Sequence, residues 1–153
     1  MKKIIDLKFT KEGFENLRQE LQNLTAKRPQ VLTRMVAARE QGDLSENAGY
    51  HAAKEELARL DYRIRELKMF IKHSEIIKWS QSKTVKPGAT VAVETEGQIR
   101  KFTIVGNLEA DPLKNKISLI SPLGAALLGK KVGQMAAVKI PDGQINYKIK
   151  TIK

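Results

Sequence analysis

Two long stretches of this chain carry the same apolar rhythm, and a short run, Gly42-Asp43-Leu44-Ser45-Glu46-Asn47, separates them. In the first, Phe14, Leu17, Leu21, Leu24, Arg28, Val31, Met35 and Ala38 recur at alternating spacings of three and four. In the second, Tyr50, Ala53, Leu57, Leu60, Ile64, Leu67 and Ile71 repeat it. Both are a/d seams of heptad type, and apart from Arg28 every seam position is apolar or aromatic. Two such arms joined by a short turn predict an antiparallel helical hairpin. An arm of about 33 residues at ~1.5 Å per residue reaches roughly 50 Å, which carries the turn far from any globular core. Two carboxylates, Asp43 and Glu46, sit at that turn.

Punctuation refines the arms. Thr10 reads as the N-cap of the first, which runs to about Gln41. Pro29 inside it predicts a local bend or loosening, at the level where Arg28 interrupts the seam. Gly42 ends the arm as a C′ glycine. The second arm starts at about Ser45 or Glu46 and continues to about Ile77. Gly49 in its first turn costs up to ~1 kcal/mol relative to alanine and softens the tip.

After Trp79 the period changes, with Pro87-Gly88 as punctuation. Thr90–Thr95 and Gln98–Val105 alternate as strands around a Glu96-Gly97 turn, and Lys116–Ile120 reads as a third. Ser121 as N-cap and Pro122 at the first helical position start a short helix, Leu123–Leu128, stopped by Gly129. Met135–Ile140 and Ile145–Ile152 flank Asp142-Gly143, the strongest hairpin signal in the chain. The fold class is therefore α+β. Residues 1–80 form the coiled-coil hairpin with its acidic tip, and residues 81–153 form a twisted antiparallel sheet with one short helix.

Composition bounds the function classes. There is no cysteine, which excludes a disulfide framework and cysteine-ligated zinc and fits a reducing, cytoplasmic setting. Met1–Asp6 lacks the apolar core of a signal peptide, and no segment approaches the ~18 apolar residues of a membrane span. The formal net charge is +11. Residues 1–80 hold 16 basic and 12 acidic side chains, residues 81–153 hold 12 and 5, so the excess is densest away from the acidic turn. A basic balance favours polyanion partners. Sparse aromatics argue against a base-stacking RNA module.

Two readings of the tip acids are open on spacing alone. Asp43 as N-cap and Glu46 three residues on would make a capping box. The same two carboxylates could share a hard cation such as Mg²⁺, held well only if another molecule supplies more ligands. Arg39 and Lys54 flank the acids within a helical turn or two and could touch a phosphate, or be ordinary solvated positions. His51 and His73 lie too far apart in sequence to suggest a zinc pair.

The run Ala38-Arg39-Glu40-Gln41-Gly42-Asp43-Leu44-Ser45-Glu46-Asn47-Ala48-Gly49-Tyr50-His51-Ala52-Ala53-Lys54-Glu55 resembles the tip signature of the Gre transcript cleavage factors. Ile117-Ser118-Leu119-Ile120-Ser121-Pro122-Leu123-Gly124-Ala125-Ala126-Leu127-Leu128-Gly129-Lys130 resembles a segment of that family's C-terminal domain. The resemblance covers nearly the whole chain. It implies an FKBP-like C-terminal domain and, as partner, bacterial RNA polymerase, whose secondary channel the hairpin enters. It implies a monomeric cofactor, not an enzyme by itself, that stimulates cleavage of backtracked RNA near the nascent 3′ end. Carried over by position, Asp43 and Glu46 hold a Mg²⁺ shared with the polymerase and not bound stably by the chain alone. Arg39 and Lys54 contact RNA, and Ser121, Pro122 and Leu123 fall in the docking segment. Gly49 stands where the family commonly has an acid, and this chain is basic where many relatives are acidic. The rival functions are an inhibitor of polymerase acting through the same channel, and a basic coiled-coil protein that binds nucleic acid without polymerase.

Overall fold

The computed structural model describes residues 6–153; the signal-peptide reading of the first residues falls largely outside that range. The chain forms two compact units, one taking the chain up to Gly13 together with Ser74–Lys153, the other Phe14–His73.

The second unit is the helical hairpin. Its arms are α1 (Lys11–Arg39), which begins in the other unit, and α2 (Ala48–His73). At 29 and 26 residues they are about 44 and 39 Å long. Every seam residue named from the sequence is buried or half-buried, with Val31, Ala53, Leu60, Ile64 and Leu67 the most enclosed. Phe70, one position before Ile71, completes the seam at the open end of the hairpin. Each fully buried Leu or Ile contributes roughly 1.5–3 kcal/mol.

Ion pairs between the arms fix the register. Arg28 Nε and Nη2 meet the two Asp61 oxygens at 2.6 and 3.0 Å. Arg63 grips Glu20 in the same two-pronged way, at 2.7 and 2.9 Å, and also reaches Glu66. Glu56 takes Lys27 and Arg34 at 2.9 and 2.8 Å. Arg28 thus does not loosen the seam; the forked bond to Asp61 closes it. The helix runs through Pro29 unbroken, as expected, with Thr33 Oγ1 donating to the Pro29 carbonyl at 2.9 Å.

These pairs are partly exposed, so they select the antiparallel register more than they stabilise it. Hydrogen bonds from Lys27 and Arg34 hold Glu56 below the ordinary carboxylate range, and Arg28 does the same for Asp61. Both acids bind protons more weakly folded than unfolded. Their stabilisation is complete above the ordinary carboxylate range and is lost as pH falls through the lowered values. The helical signal in urea titrations is therefore expected to melt earlier as pH drops from 7 to 3. Asp61→Asn should flatten part of that decline, and an unchanged pH profile in this variant would count against the pair's contribution.

The first unit begins with a two-residue strand, β1 (Lys8–Phe9), parallel to β2 (Glu75–Ile76). The sequence reading extended the second helix over residues that β2 occupies: α2 stops at His73 because the chain turns there to pair with β1. Thr10 caps α1 as expected, accepting from Gly13 N at 3.0 Å. The nearly buried Glu109 takes the place of a capping-box partner, accepting from Thr10 N and Oγ1 at 2.8 and 2.5 Å. β1 lies so close to Gly106 that a Cβ there would fall 1.6 Å from the Lys8 carbonyl oxygen, so only glycine fits.

The main sheet contains β3 (Thr90–Thr95), β4 (Gln98–Val105), β5 (Lys116–Ser118), β6 (Met135–Ile140) and β7 (Gly143–Ile152), in the order β5-β4-β3-β7-β6. It is antiparallel except at one edge, where β5 runs parallel to β4. Glu96 and Gly97, at φ of 51° and 74°, make the two-residue turn between β3 and β4. Between β6 and β7 the turn residues are Pro141 and Asp142, with Gly143 already paired to Ile140. One sheet face packs Val91, Val93, Ile104, Ala136 and Ile149 against Leu127 of the short helix α3 (Pro122–Leu127).

Candidate functional site

The hairpin turn is built by three local devices. After Arg39, Glu40 and Gln41 continue with backbone bonds to the Val36 and Ala38 carbonyls, both 3.2 Å. Gly42 then takes φ of 124°, a conformation side chains rarely allow, and the helix ends there. Asp43 folds the chain back on itself: its Oδ1 accepts from Ser45 N at 2.9 Å and from Ser45 Oγ at 2.8 Å. The third device is Asn47. Its Oδ1 accepts from Tyr50 N at 2.9 Å, which caps α2, and its Nδ2 donates to the Ala38 carbonyl at 2.6 Å, which ties the start of α2 to the end of α1.

The capping box read from Asp43 and Glu46 does not form. Asn47 is the N-cap, and α2 begins at Ala48, two or three residues later than the sequence reading placed it. Both acids are consequently spared from capping. The Ser45 backbone N–H, then its hydroxyl, hold the Asp43 carboxyl below the usual range, so it is ionised at neutral pH. One of its oxygens is committed to Ser45. Glu46 is exposed, and its carboxylate has no hydrogen-bond or ion-pair partner among the described residues. Among the described residues no group of three or more His, Asp or Glu is placed to hold a metal ion. The tip therefore offers an incomplete set of hard oxygen donors. That set fits Mg²⁺, which is bound through one or two carboxylates with the rest of its shell supplied from elsewhere.

Arg39 is the last residue of α1, and Lys54 lies in the second turn of α2; both are exposed. The Lys54 ammonium sits 6.0 Å from the centre of the Tyr50 ring, and the His51 ring meets Tyr50 edge-on at 5.5 Å. Gly49 has room for a side chain, since an added Cβ would meet Asn47 Oδ1 at 3.5 Å and the Ala38 methyl at 4.0 Å.

In the other unit, Ser121 caps α3: Oγ accepts from Gly124 N at 3.0 Å and donates to the Ser118 carbonyl at 2.6 Å. Leu123 packs on the sheet core, while Pro122 faces solvent. Ile120, expected as the last residue of a strand and not among the docking residues, stands beside them 61 % exposed. Within this segment Ser121 and Leu123 are half-buried, and Pro122 and Ile120 are exposed.

The family model for the N-terminal domain of transcription elongation factors matches residues 7–76, and that for the GreA/GreB C-terminal domain matches residues 80–153. The chain is 45% identical over 149 residues to transcription elongation factor GreA of Caldanaerobacter subterraneus subsp. tengcongensis, covering 94% of this chain and 95% of that protein. It is 43% identical over 145 residues to GreA of Solidesulfovibrio magneticus, covering 92% and 88%. A crystal structure of Thermus aquaticus Gfh1 is 29% identical, covers 97% of this chain and 98% of that one, and superposes with a TM-score of 0.45. With both of its domains matched in order, the chain belongs to the GreA/GreB family of transcription elongation factors.

Proposed function

We propose that this protein stimulates the cleavage of backtracked nascent RNA by bacterial RNA polymerase, acting in the cytoplasm as a monomer and not as a catalyst by itself. The observation that carries this reading is the tip itself. A bland structural explanation of Asp43 and Glu46 would have them cap α2, yet Asn47 has that role and leaves both acids exposed. Asp43 is oriented by Ser45 with one oxygen free, and Glu46 is three residues away on the same turn. Together they would hold a Mg²⁺ shared with the polymerase active site. In two-metal phosphoryl chemistry such an ion stabilises the charge on the attacking or leaving oxygen. Arg39 and Lys54 meet phosphates near the RNA 3′ end. Ser121, Pro122 and Leu123, with Ile120, dock the other domain on the polymerase.

The deciding experiment is a cleavage assay on a stalled, backtracked elongation complex in Mg²⁺. Release of short 3′ fragments above the polymerase's own rate is expected. An inhibitor built on the same scaffold would bind and release none, and a nucleic-acid binder without polymerase affinity would neither bind the enzyme nor cut. Docking is testable separately. Pro122→Glu places a charge on the solvent-facing residue of the segment and should weaken polymerase affinity by about tenfold, equivalent to ~1.4 kcal/mol. Unaltered affinity in the folded variant would remove Pro122 from the interface.

A further inference from the structure

The charge excess of residues 81–153 has a definite place in the fold. The main sheet packs one face on its core; on the opposite face Ala92 is buried, while Lys101, Ile99, Lys148, Met135 and Lys139 of the flanking strands are exposed. The strand register puts Lys101 of β4 level with Ala92 and Thr151. The next rung holds Ile99, Glu94, Lys148 and Met135, and Lys139 lies opposite Gln144 further along β6. Lys150 bulges out of β7 and turns to the same face, where its ammonium pairs with Glu94. Glu94 is the acid these rungs carry, and Lys150 neutralises it. Lys101, Lys139 and Lys148 are exposed and form no ion pair among the described residues.

We propose that this open sheet face binds the phosphate backbone of duplex DNA. The argument for a polyanion is the charge: four ammonium groups on three strands surround one carboxylate, Glu94, which Lys150 pairs and Lys148 neighbours, leaving a net excess of three. From β4 to β6 is three strand spacings, about 14 Å. At one charge per ~1.7 Å of duplex axis, both strands counted, that length carries about eight phosphates, and those on one side of the duplex meet the face. The argument for a duplex over a single strand is what the face lacks. Proteins that hold single strands stack bases on aromatic rings, at ~1–3 kcal/mol per base. Here Phe102 and Tyr147 point to the core side, leaving Ile99 and Met135 as the large apolar groups outward. A face that attracts by charge alone favours the partner with the densest charge. The proposal stands apart from the tip chemistry and does not rest on it.

The test is fluorescence anisotropy of the full chain on a labelled DNA duplex of about 30 base pairs, from 50 to 200 mM NaCl. Three phosphate contacts give a log–log salt slope near about −2.7, hence a loss of affinity of about 40-fold across that range. Combining Lys101→Gln, Lys139→Gln and Lys148→Gln should bring the slope close to zero and leave circular dichroism unchanged. A control combining Arg18→Gln, Lys68→Gln and Lys72→Gln on the hairpin removes the same charge and should keep the wild-type slope. Absence of duplex binding at 50 mM salt overturns the proposal. So does an equal loss in both triple variants, or tighter binding of a single-stranded RNA of the same length.

Discussion

Replacing either Asp43 or Glu46 with alanine is expected to reduce stimulated RNA cleavage by about 100-fold or more while polymerase affinity stays close to wild type. Each substitution removes an oxygen donor where the chemistry takes place and leaves Pro122 and Ile120 untouched in the other unit. The structure sharpens the expectation, because α2 is capped by Asn47 and not by either acid. Helix content and thermal midpoint should therefore hardly move in Glu46→Ala. Asp43→Ala releases Ser45 and should loosen the turn locally. A partial rescue by raised Mg²⁺ is expected for the conservative variant Glu46→Gln, which keeps one oxygen. Wild-type cleavage by both alanine variants would end the metal-sharing reading and return the acids to the solvated surface.

The hairpin was legible because its information is periodic. A seam of apolar residues repeated over many turns leaves no other economical way to bury them, and each position so chosen is at least half-buried. The sheet domain was legible in its hairpins for a similar reason, since alternation and turn residues are local signals. What the sequence hid is non-local or short. Two-residue strands such as Lys8–Phe9 and Glu75–Ile76 have no period to detect, and their pairing joins residues far apart in the chain. The parallel edge formed by Lys116–Ser118 on β4 is likewise set by the connection through Asn107 and Pro112 and not by any pattern within the strand.

At the tip, the missed residue was Asn47, and the reason is instructive. Asp43 followed three residues later by Glu46 fits the capping-box template, so the template was satisfied before Asn47 was reached. A signal was nonetheless present: asparagine is among the strongest N-caps, and the apolar seam of α2 resumes three residues later at Tyr50. Bridging to Ala38 could not be read at all, since it depends on how the two arms meet. Ile120 was missed because a terminal apolar residue of a strand pattern reads as core, and only the three-residue extent of β5 turns it outward.

The second large effect is expected at Asn47, which touches no substrate and acts by placing the acids. Asn47→Ala removes both the acceptor that caps α2 and the donor that ties it to α1. Loss of the cap should cost about 1 kcal/mol of hairpin stability. The larger consequence is positional: Asp43 and Glu46 lie between the two anchored helix ends, so freeing one end lets the turn wander. Displacement of a reacting group by about 1 Å can cost on the order of 100-fold in rate, and a fall of about 10–100-fold in cleavage is expected here at unchanged polymerase affinity. Asn47→Asp separates the two roles. Its oxygen still caps Tyr50 N, but it cannot donate to the Ala38 carbonyl and sets a carboxylate against it. If the tie between the arms positions the acids, Asn47→Asp should retain most of the helix stability and still lose cleavage. If capping alone matters, it should cleave like wild type while Asn47→Ala does not. Full activity in both variants would show that the acids find their place only inside the polymerase, with no help from the order of the free tip.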